Sequence, residues 1–408
     1  MKIMRSRSKN NILIVNCGSS SLKYEVYAMP SQESMGKGLI ERIGLDKGHI
    51  CQENHTKKFE RVTDIPNHSV AFKLMMEALL DHDNGLITEI SQITGIGHRV
   101  VHGGEQYSES VIIDADVIKA IEVNCELAPL HNPANLIGIN ESIAIFGDIP
   151  QVAVFDTAFH QTLPPMAYLY GMPRYFYDQY RIRRYGFHGT SHRYVASQAF
   201  QMMKRSPENT NLITCHLGNG ASITAIQQGK SVDTSMGFTP LEGLMMGTRS
   251  GDLDPSIIFY LEERGFEFHD LHNILNKKSG LLGLSGVSSD LRDIEKAADE
   301  GNSNALEAIE TYAYRIRKYI GAYAANLIKV DAIVFTGGVG QYGVRMRERI
   351  CSRLENVGIH INKDLNKSVG GTPGIISKPY SPVSILVIPT NEELQIALDT
   401  YELIATPV

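Results

Sequence analysis

Short apolar runs and helical periods alternate along this chain. Residues 93–101, 152–155, 211–216, 332–336 and 383–388 are runs rich in Val and Ile, the pattern of strands buried on both faces. Residues 302–329 carry apolar side chains at 305, 306, 309, 313, 316, 320 and 323, which predicts one face of a long helix. Pro133 ahead of 134–145, and Asn391 ahead of 392–404, mark two further helix starts. One design occurs twice. Asn11-Ile-Leu-Ile-Val-Asn-Cys-Gly-Ser-Ser-Ser-Leu-Lys-Tyr-Glu-Val-Tyr27 is a buried-type strand, a Gly/Ser turn and an alternating strand, and Asn211-Leu-Ile-Thr-Cys-His-Leu-Gly-Asn-Gly-Ala-Ser-Ile-Thr-Ala-Ile226 has the same parts in the same order. Each predicts a hairpin whose turn offers unobstructed backbone N–H groups and small side chains, as a phosphate group requires. A single such hairpin is as readily an ordinary surface turn. Two imply an α/β chain of two similar halves, with a boundary near 155–160.

Length and composition agree. A chain of 408 residues is long for one core, and 43% hydrophobic with 21% charged residues describes a well-packed protein. A net charge of −6 argues against nucleic acid as the main partner. The basic start, residues 1–9, is followed by too short an apolar run for a signal peptide or a membrane span, and is expected to be an extension. The five cysteines are scattered without metal-ligand spacing, so a reducing, cytoplasmic compartment is expected.

Candidate chemistry lies where the predicted strands end. His98-Arg-Val-Val-His-Gly-Gly-Glu105 closes one strand with a cation and a Gly-Gly break, and Val154-Phe-Asp-Thr-Ala-Phe-His160 puts Asp156 directly after another. Tyr185-Gly-Phe-His-Gly-Thr-Ser-His192 flanks His188 with a helix start, Met246-Gly-Thr-Arg-Ser-Gly-Asp-Leu-Asp-Pro255 holds Arg249 in a loop, and Phe335-Thr-Gly-Gly-Val-Gly340 is a strand entering a Gly-rich turn. Ligands of open α/β sheets bind at the carboxyl ends of strands, where these loops would converge. Taken singly, each residue has a plainer reading: Arg99 an ion-pair partner, Asp156 a turn cap, His188 and His216 interior histidines, Lys23 a solvated position, Glu392 a helix-start carboxylate. One function needs all of them.

Asn16-Cys-Gly-Ser-Ser-Ser-Leu-Lys23, His98-Arg-Val-Val-His-Gly-Gly104, Gly186-Phe-His-Gly-Thr-Ser-His192 and Asp233-Thr-Ser-Met-Gly-Phe-Thr-Pro-Leu-Glu-Gly-Leu-Met-Met-Gly-Thr-Arg249 resemble the acetate kinase family, from Asn11 to about Ala397. The resemblance implies two duplicated actin-like (ribonuclease H-like) domains with a nucleotide cleft between them, at 1–155 and 156–393, the first completed by a helix at 394–408. It implies reversible transfer of the ATP γ-phosphoryl group to acetate, giving acetyl phosphate and ADP. Magnesium (or manganese in its place) and a homodimer come with it. Asn16 and Glu392 match metal-site positions, and Lys23 a phosphate-binding one. Arg99 matches the substrate arginine and Asp156 the catalytic aspartate, while His188 and Arg249 match transition-state stabilisers. His216, Leu217, Gly218, Asn219 and Gly220, then Asp290, Leu291 and Arg292, then Gly338, Val339, Gly340, Gln341 and Tyr342 match nucleotide-binding segments. Val101, Leu130, Phe187 and Pro240 match the acyl pocket. The chain departs from the family at Gln341-Tyr342, where Glu-Asn is common, on the purine side.

Elementary chemistry qualifies one role. A carboxylic acid acceptor has a pKa of about 4 to 5 and is already ionised near neutrality, so a general base gains little. Asp156 is expected to orient a cation, and direct in-line transfer is expected rather than a phosphorylated intermediate. The reading from another class is a nucleotide-driven interaction protein of the actin or Hsp70 kind, against which the set Arg99, His188 and Arg249 argues.

Overall fold

A computed structural model describes residues 10–405, so the expected extension at 1–9 and the last three residues of the expected 394–408 helix lie outside the described residues. The chain forms two units, one running to Ala158 and resuming at Asn391, the other spanning Phe159–Thr390.

The first unit carries β1 (Asn10–Cys17), β2 (Ser21–Met29), β3 (Glu33–Glu41), β4 (Gly48–Asn54), β5 (Lys58–Thr63), β6 (Ile93–Val100), β7 (Val111–Ile112) and β8 (Gln151–Phe155) in the order β5-β4-β3-β2-β1-β6-β8-β7. The second carries β9 (Asn211–Leu217), β10 (Ala221–Gln227), β11 (Lys230–Thr234), β12 (Ala332–Thr336), β13 (Gly374–Ile375) and β14 (Ser384–Val387) in the order β11-β10-β9-β12-β14-β13. In each sheet the first hairpin and its third strand are antiparallel, the next two strands are parallel, and the short last strand is antiparallel. Order and direction therefore match strand for strand, with β4 and β5 as additions to the first sheet. This is the duplicated actin-like fold. The parallel strands β8 and β12 are buried at every position, which is why they read as continuous apolar runs.

Two helices fix what matters for the site. The helix Glu392–Ala405 packs Ile396 and Ala397 against Ile12, Ile14, Val152 and Val154 of the first sheet. It can lie close because β6 has glycines beneath it. A Cβ at Gly97 would stand 2.4 Å from Thr400 Oγ1 and 2.6 Å from Ile396, and one at Gly95 would stand 2.7 Å from Ile404. In the second unit the helix Ser303–Asn326 buries Ala305, Ala308, Ile309, Tyr312, Ala313, Ile316, Ile320 and Tyr323. Leu306, expected on that face, is 46% exposed, because it stands one residue round the helix from the Ala305–Ile309 stripe. No helix among the described residues is long and apolar enough to cross a membrane, and all five cysteines are free thiols.

Candidate active site

In the first unit the β1–β2 hairpin turns through Gly18-Ser19-Ser20, closed by Gly18 N–H donating to Ser21 O at 2.8 Å. Asn16 and Lys23 stand opposite each other across it, so their side chains share a face. Arg99 ends β6 but for one residue and Asp156 follows β8, the neighbouring parallel strand. Arg99 donates through Nε to Asp156 Oδ1 (3.2 Å) and through Nη2 to Oδ2 (2.6 Å), engaging both carboxylate oxygens. Asp156 is 2% exposed and the arginine side chain 25%, and the pairing uses Nε and Nη2, leaving the Nη1 edge outside this contact. Asp156 and then Glu392 hold the Arg99 pKa above its ordinary value against the opposing effect of burial. Glu392 opens the last helix, and its carboxyl is pushed up to about 7, chiefly by burial, with Arg99 and Lys23 opposing and Asp156 and Glu393 adding to the rise. Lys23, Arg99, Asp156 and Glu392 thus act on one small region.

The sequence reading missed what holds that region together. Asn135 accepts from Val101 N–H (3.1 Å) and donates to Cys17 O (2.8 Å), and Asn132 accepts from His102 N–H (3.0 Å) and donates to His102 O (2.9 Å). Both amides are buried at the start of the helix Asn132–Phe146; Asn135 ties the end of β1 to the segment after Arg99, and Asn132 ties that segment to the helix. The available signal was Asn132-Pro133-Ala-Asn135, two amides one turn apart at a helix start. Strand β6 ends at Val100, so Val101 lies in a bend, where it is 6% exposed, while Leu130 on the preceding turn is 59% exposed.

The second unit repeats the hairpin, with Gly218-Asn219-Gly220 closed by Gly218 N–H donating to Gly220 O at 3.0 Å. His188 adopts the left-handed conformation (φ 57°) just before the helix Gly189–Met203. Its ring stacks on His216 at 4.3 Å, and its Nδ1 lies 3.0 Å from Ser222 Oγ. Arg249 donates from Nη1 to Pro240 O at 3.2 Å, and burial holds its pKa below the ordinary value. A Cβ at Gly220 would stand 3.4 Å from His188 Nε2 and 3.6 Å from Arg249 Nη1. The imidazole edge and the guanidinium therefore converge on this turn. Phe187, next to His188, is 3% exposed.

Beside the turn lies a cavity of about 630 Å³, lined by Gly218, Asn219, Asp290, Leu291, Arg292, Gly338, Val339 and Tyr342 from the expected set, together with Leu281, Ser289, Glu295 and Gly343–Arg345. That volume suits a nucleoside. Leu217 and Gly340 are buried behind it, and Gln341 turns away to donate to Gly371 O at 2.7 Å. Asp290 accepts from Arg292 Nε at 3.0 Å and is pulled down to about 2 by that contact. Tyr342 is 66% exposed. Gly337 takes φ 73°, where a Cβ would stand 2.7 Å from Leu217 O, so only glycine passes. Sequence reading also missed Arg347, fully buried, which donates to Gly340 O (2.8 Å), Gln341 O (2.6 Å) and Asn366 Oδ1 (2.7 Å) and so fixes the Gly-rich turn from behind.

Comparison with known proteins decides the class. Residues 11–398 match the Acetokinase family. The chain belongs to the acetokinase family. Membership makes it a kinase, a phosphotransferase with a carboxyl group as acceptor. It is 52% identical over 395 residues to the acetate kinase of Desulfitobacterium hafniense, covering 96% of this chain and 99% of that one. It is also 52% identical to the acetate kinase of Thermotoga maritima, over 96% and 98% of the two chains. Among solved structures, Porphyromonas gingivalis acetate kinase superposes with a TM-score of 0.93 at 45% identity over 97% of this chain and 99% of that one. A propionate kinase from Francisella tularensis superposes with 0.90 at 42% identity over 97% and 100%.

Proposed function

We propose that the protein transfers the γ-phosphoryl group of ATP reversibly to acetate, giving acetyl phosphate and ADP by direct in-line displacement. The observation that carries this reading is the convergence of His188 and Arg249 on the glycine turn of the β9–β10 hairpin, beside a nucleoside-sized cavity. The acceptor follows the relatives named acetate kinases. A carboxylate approaching a γ-phosphate meets like charge, and a transition state that spreads charge over three equatorial oxygens calls for fixed donors. Arg249, held by the Pro240 carbonyl, supplies a permanent charge, and His188 supplies an N–H. Arg99 takes the acetate carboxylate on its Nη1 edge while Asp156 holds its other edge. With both oxygens engaged by Arg99, Asp156 is an orienting group rather than a base.

Magnesium fits the first unit. A hard divalent cation needs oxygen donors, usually one or two from protein beside phosphate and water, and Asn16 and Glu392 provide an amide oxygen and a carboxylate. The raised pKa of Glu392 marks a buried acid that a nearby cation would relieve. When bound, magnesium neutralises phosphate oxygens. Lys23 assists on the exposed face of β2. Gly218, Asn219, Asp290–Arg292, Gly338, Val339 and Tyr342 hold ADP or ATP, with Tyr342 on the purine side, while Gln341, bonded away to Gly371 O, drops out of the expected set. Val101 and Phe187 are each nearly buried, as contacts for an acyl methyl must be, whereas Leu130 is exposed and is the weaker candidate for that role. A second copy of the chain is the proposed partner, supported by the large apolar side chains that the second unit leaves exposed, Met166 at 88% and Phe268 at 75%.

Hydroxylamine trapping with MgATP and a panel of short acids tests the reading. Acetyl hydroxamate should form fastest, propionyl hydroxamate detectably and butyryl hydroxamate slowly, since one methylene in an apolar pocket is worth about 1–3 kcal/mol. ATP hydrolysis without trapped acyl phosphate from any acid would refute it.

A further inference from the structure

Three fully buried polar side chains behind His188 have no role so far: Thr214 on β9, Ser222 on β10 and His192 on the helix Gly189–Met203. Ser222 stands opposite His216 in the hairpin register, and Thr214 is two residues before His216, so all three strand residues share one face of the sheet. The helix packs on β9 with His188 and His192 one turn apart, and both rings reach the same hydroxyl. Ser222 Oγ lies 3.0 Å from His188 Nδ1 and 2.8 Å from His192 Nε2, and His192 Nδ1 lies 2.7 Å from Thr214 Oγ1.

Proton counting gives these contacts a direction. Each hydroxyl has one hydrogen to donate, and a neutral imidazole has one. Burial, together with His160 and His216, lowers the His192 pKa far below its ordinary value, so that ring is neutral. If His188 Nδ1–H donated to Ser222, Ser222 would donate to His192 Nε2 and His192 Nδ1–H to Thr214. The Thr214 hydrogen would then have no acceptor among the described residues. In the opposite direction Thr214 donates to His192 Nδ1, His192 Nε2–H to Ser222, and Ser222 to His188 Nδ1, and no hydrogen is wasted. A buried donor left unpaired costs about 1–3 kcal/mol, enough to choose the second arrangement.

We propose that Thr214, His192 and Ser222 form a one-way hydrogen-bond relay that locks His188 as the neutral Nε2–H tautomer and points that N–H at the turn Gly218-Asn219-Gly220. The Nε2 edge faces this turn, as the 3.4 Å approach of a Gly220 Cβ requires. A similar contact lies behind His216: the Ser191 hydroxyl is 2.7 Å from His216 Nδ1 and 2.8 Å from Thr390 Oγ1. Two stacked rings 4.3 Å apart, with Arg249 beside the same turn, favour neutral imidazoles, because neighbouring imidazolium charges would repel. Arg249 then supplies charge and His188 a fixed dipolar donor. Thr214, His192 and Ser222 are positioning residues, and the inference rests on the proposed reading of His188 as facing the transferred phosphoryl group.

Nitrogen-15 NMR of the full-length, histidine-labelled protein near neutral pH reads which ring nitrogen carries the proton, with His188→Gln and His192→Gln assigning the signals. The expected result is protonation of both rings at Nε2 alone. Ser222→Ala should release His188 into a tautomer mixture and lower kcat about tenfold, the value of one hydrogen bond, with little change in either KM. Ser222→Cys, which keeps a weak donor of similar size, should restore part of the rate. Protonation of His192 at Nδ1, or of His188 at Nδ1 or at both nitrogens, overturns the relay. So does a Ser222→Ala protein whose His188 signals match the wild type. The resting-state spectrum of the wild type decides the relay even if the variant does not fold. Absence of acyl phosphate formation by the wild type would instead defeat the functional reading and leave the tautomer result standing.

Discussion

Arg99 and Arg249 are both partly buried cations, yet their surroundings separate their duties. Arg99 is already engaged by Asp156 and can give only its remaining edge to a ligand, whereas Arg249 is held by a neutral carbonyl and has no carboxylate partner among the described residues. Arg249→Ala should therefore lower kcat about a hundredfold or more with small KM changes, and Arg99→Ala should also raise the KM for acetate. Steady-state kinetics on both variants checks this, and unchanged turnover in a folded Arg249→Ala would contradict it. Asp156→Asn should lose rate while its pH–rate profile keeps the wild-type shape, because no proton is taken from an ionised acid. A wild-type ionisation limb that vanishes in the variant would make Asp156 a base. Glu392 carries a sign that can be measured. Its carboxyl pKa is raised from the ordinary 4.5 to about 7, so its contribution to stability is present below 4.5 and lost as pH rises through about 7. Metal-free Glu392→Gln should thus melt above the wild type at pH 8, a difference that closes towards pH 4.5. Magnesium should raise the wild-type melting temperature at pH 8 more than that of the variant.

The elements most legible in sequence were those buried on both faces. β8, β9 and β12 announced themselves as apolar runs, and the two hairpins by their matching turns. β3 did not, because Glu-Ser-Met-Gly-Lys-Gly-Leu-Ile-Glu shows no alternation. Its glycines answer to neighbours far away in sequence: a Cβ at Gly38 would stand 2.0 Å from the Tyr24 ring and one at Gly36 2.5 Å from Leu86. The catalytic candidates were legible because cations and glycines at strand ends are unusual. Asn132, Asn135, Ser222 and Arg347 were not, since a buried amide, hydroxyl or arginine acquires its meaning only from partners brought together by folding. The last helix shows how such packing reaches the site. Gly97→Val would press into Thr400 and Ile396, costing about 1–3 kcal/mol by overpacking. It should lower the melting temperature and, by moving Glu392, raise the magnesium concentration needed for half-maximal activity. A normal magnesium response in a destabilised variant would show that the helix merely stabilises the unit.

Across the molecule, the proposed reading gives two hairpins of one design different tasks. The first, with Asn16 and Lys23 opposed, is assigned to metal and phosphate, and the second, backed by stacked histidines, to the transferred group. Fold alone does not make that distinction, because actin-like domains serve many activities and function resides in the side chains grafted on them. The proposed activity of the whole chain is phosphoryl exchange between a nucleotide and a carboxylic acid, and exchange must run in both directions. Luciferase detection of ATP made from acetyl phosphate and MgADP tests this without ATP in the background. The expected result is light that requires acetyl phosphate, ADP and magnesium together and falls about a hundredfold in Arg249→Ala. No ATP from the folded wild-type protein, or the same yield with Arg249 removed, would contradict it.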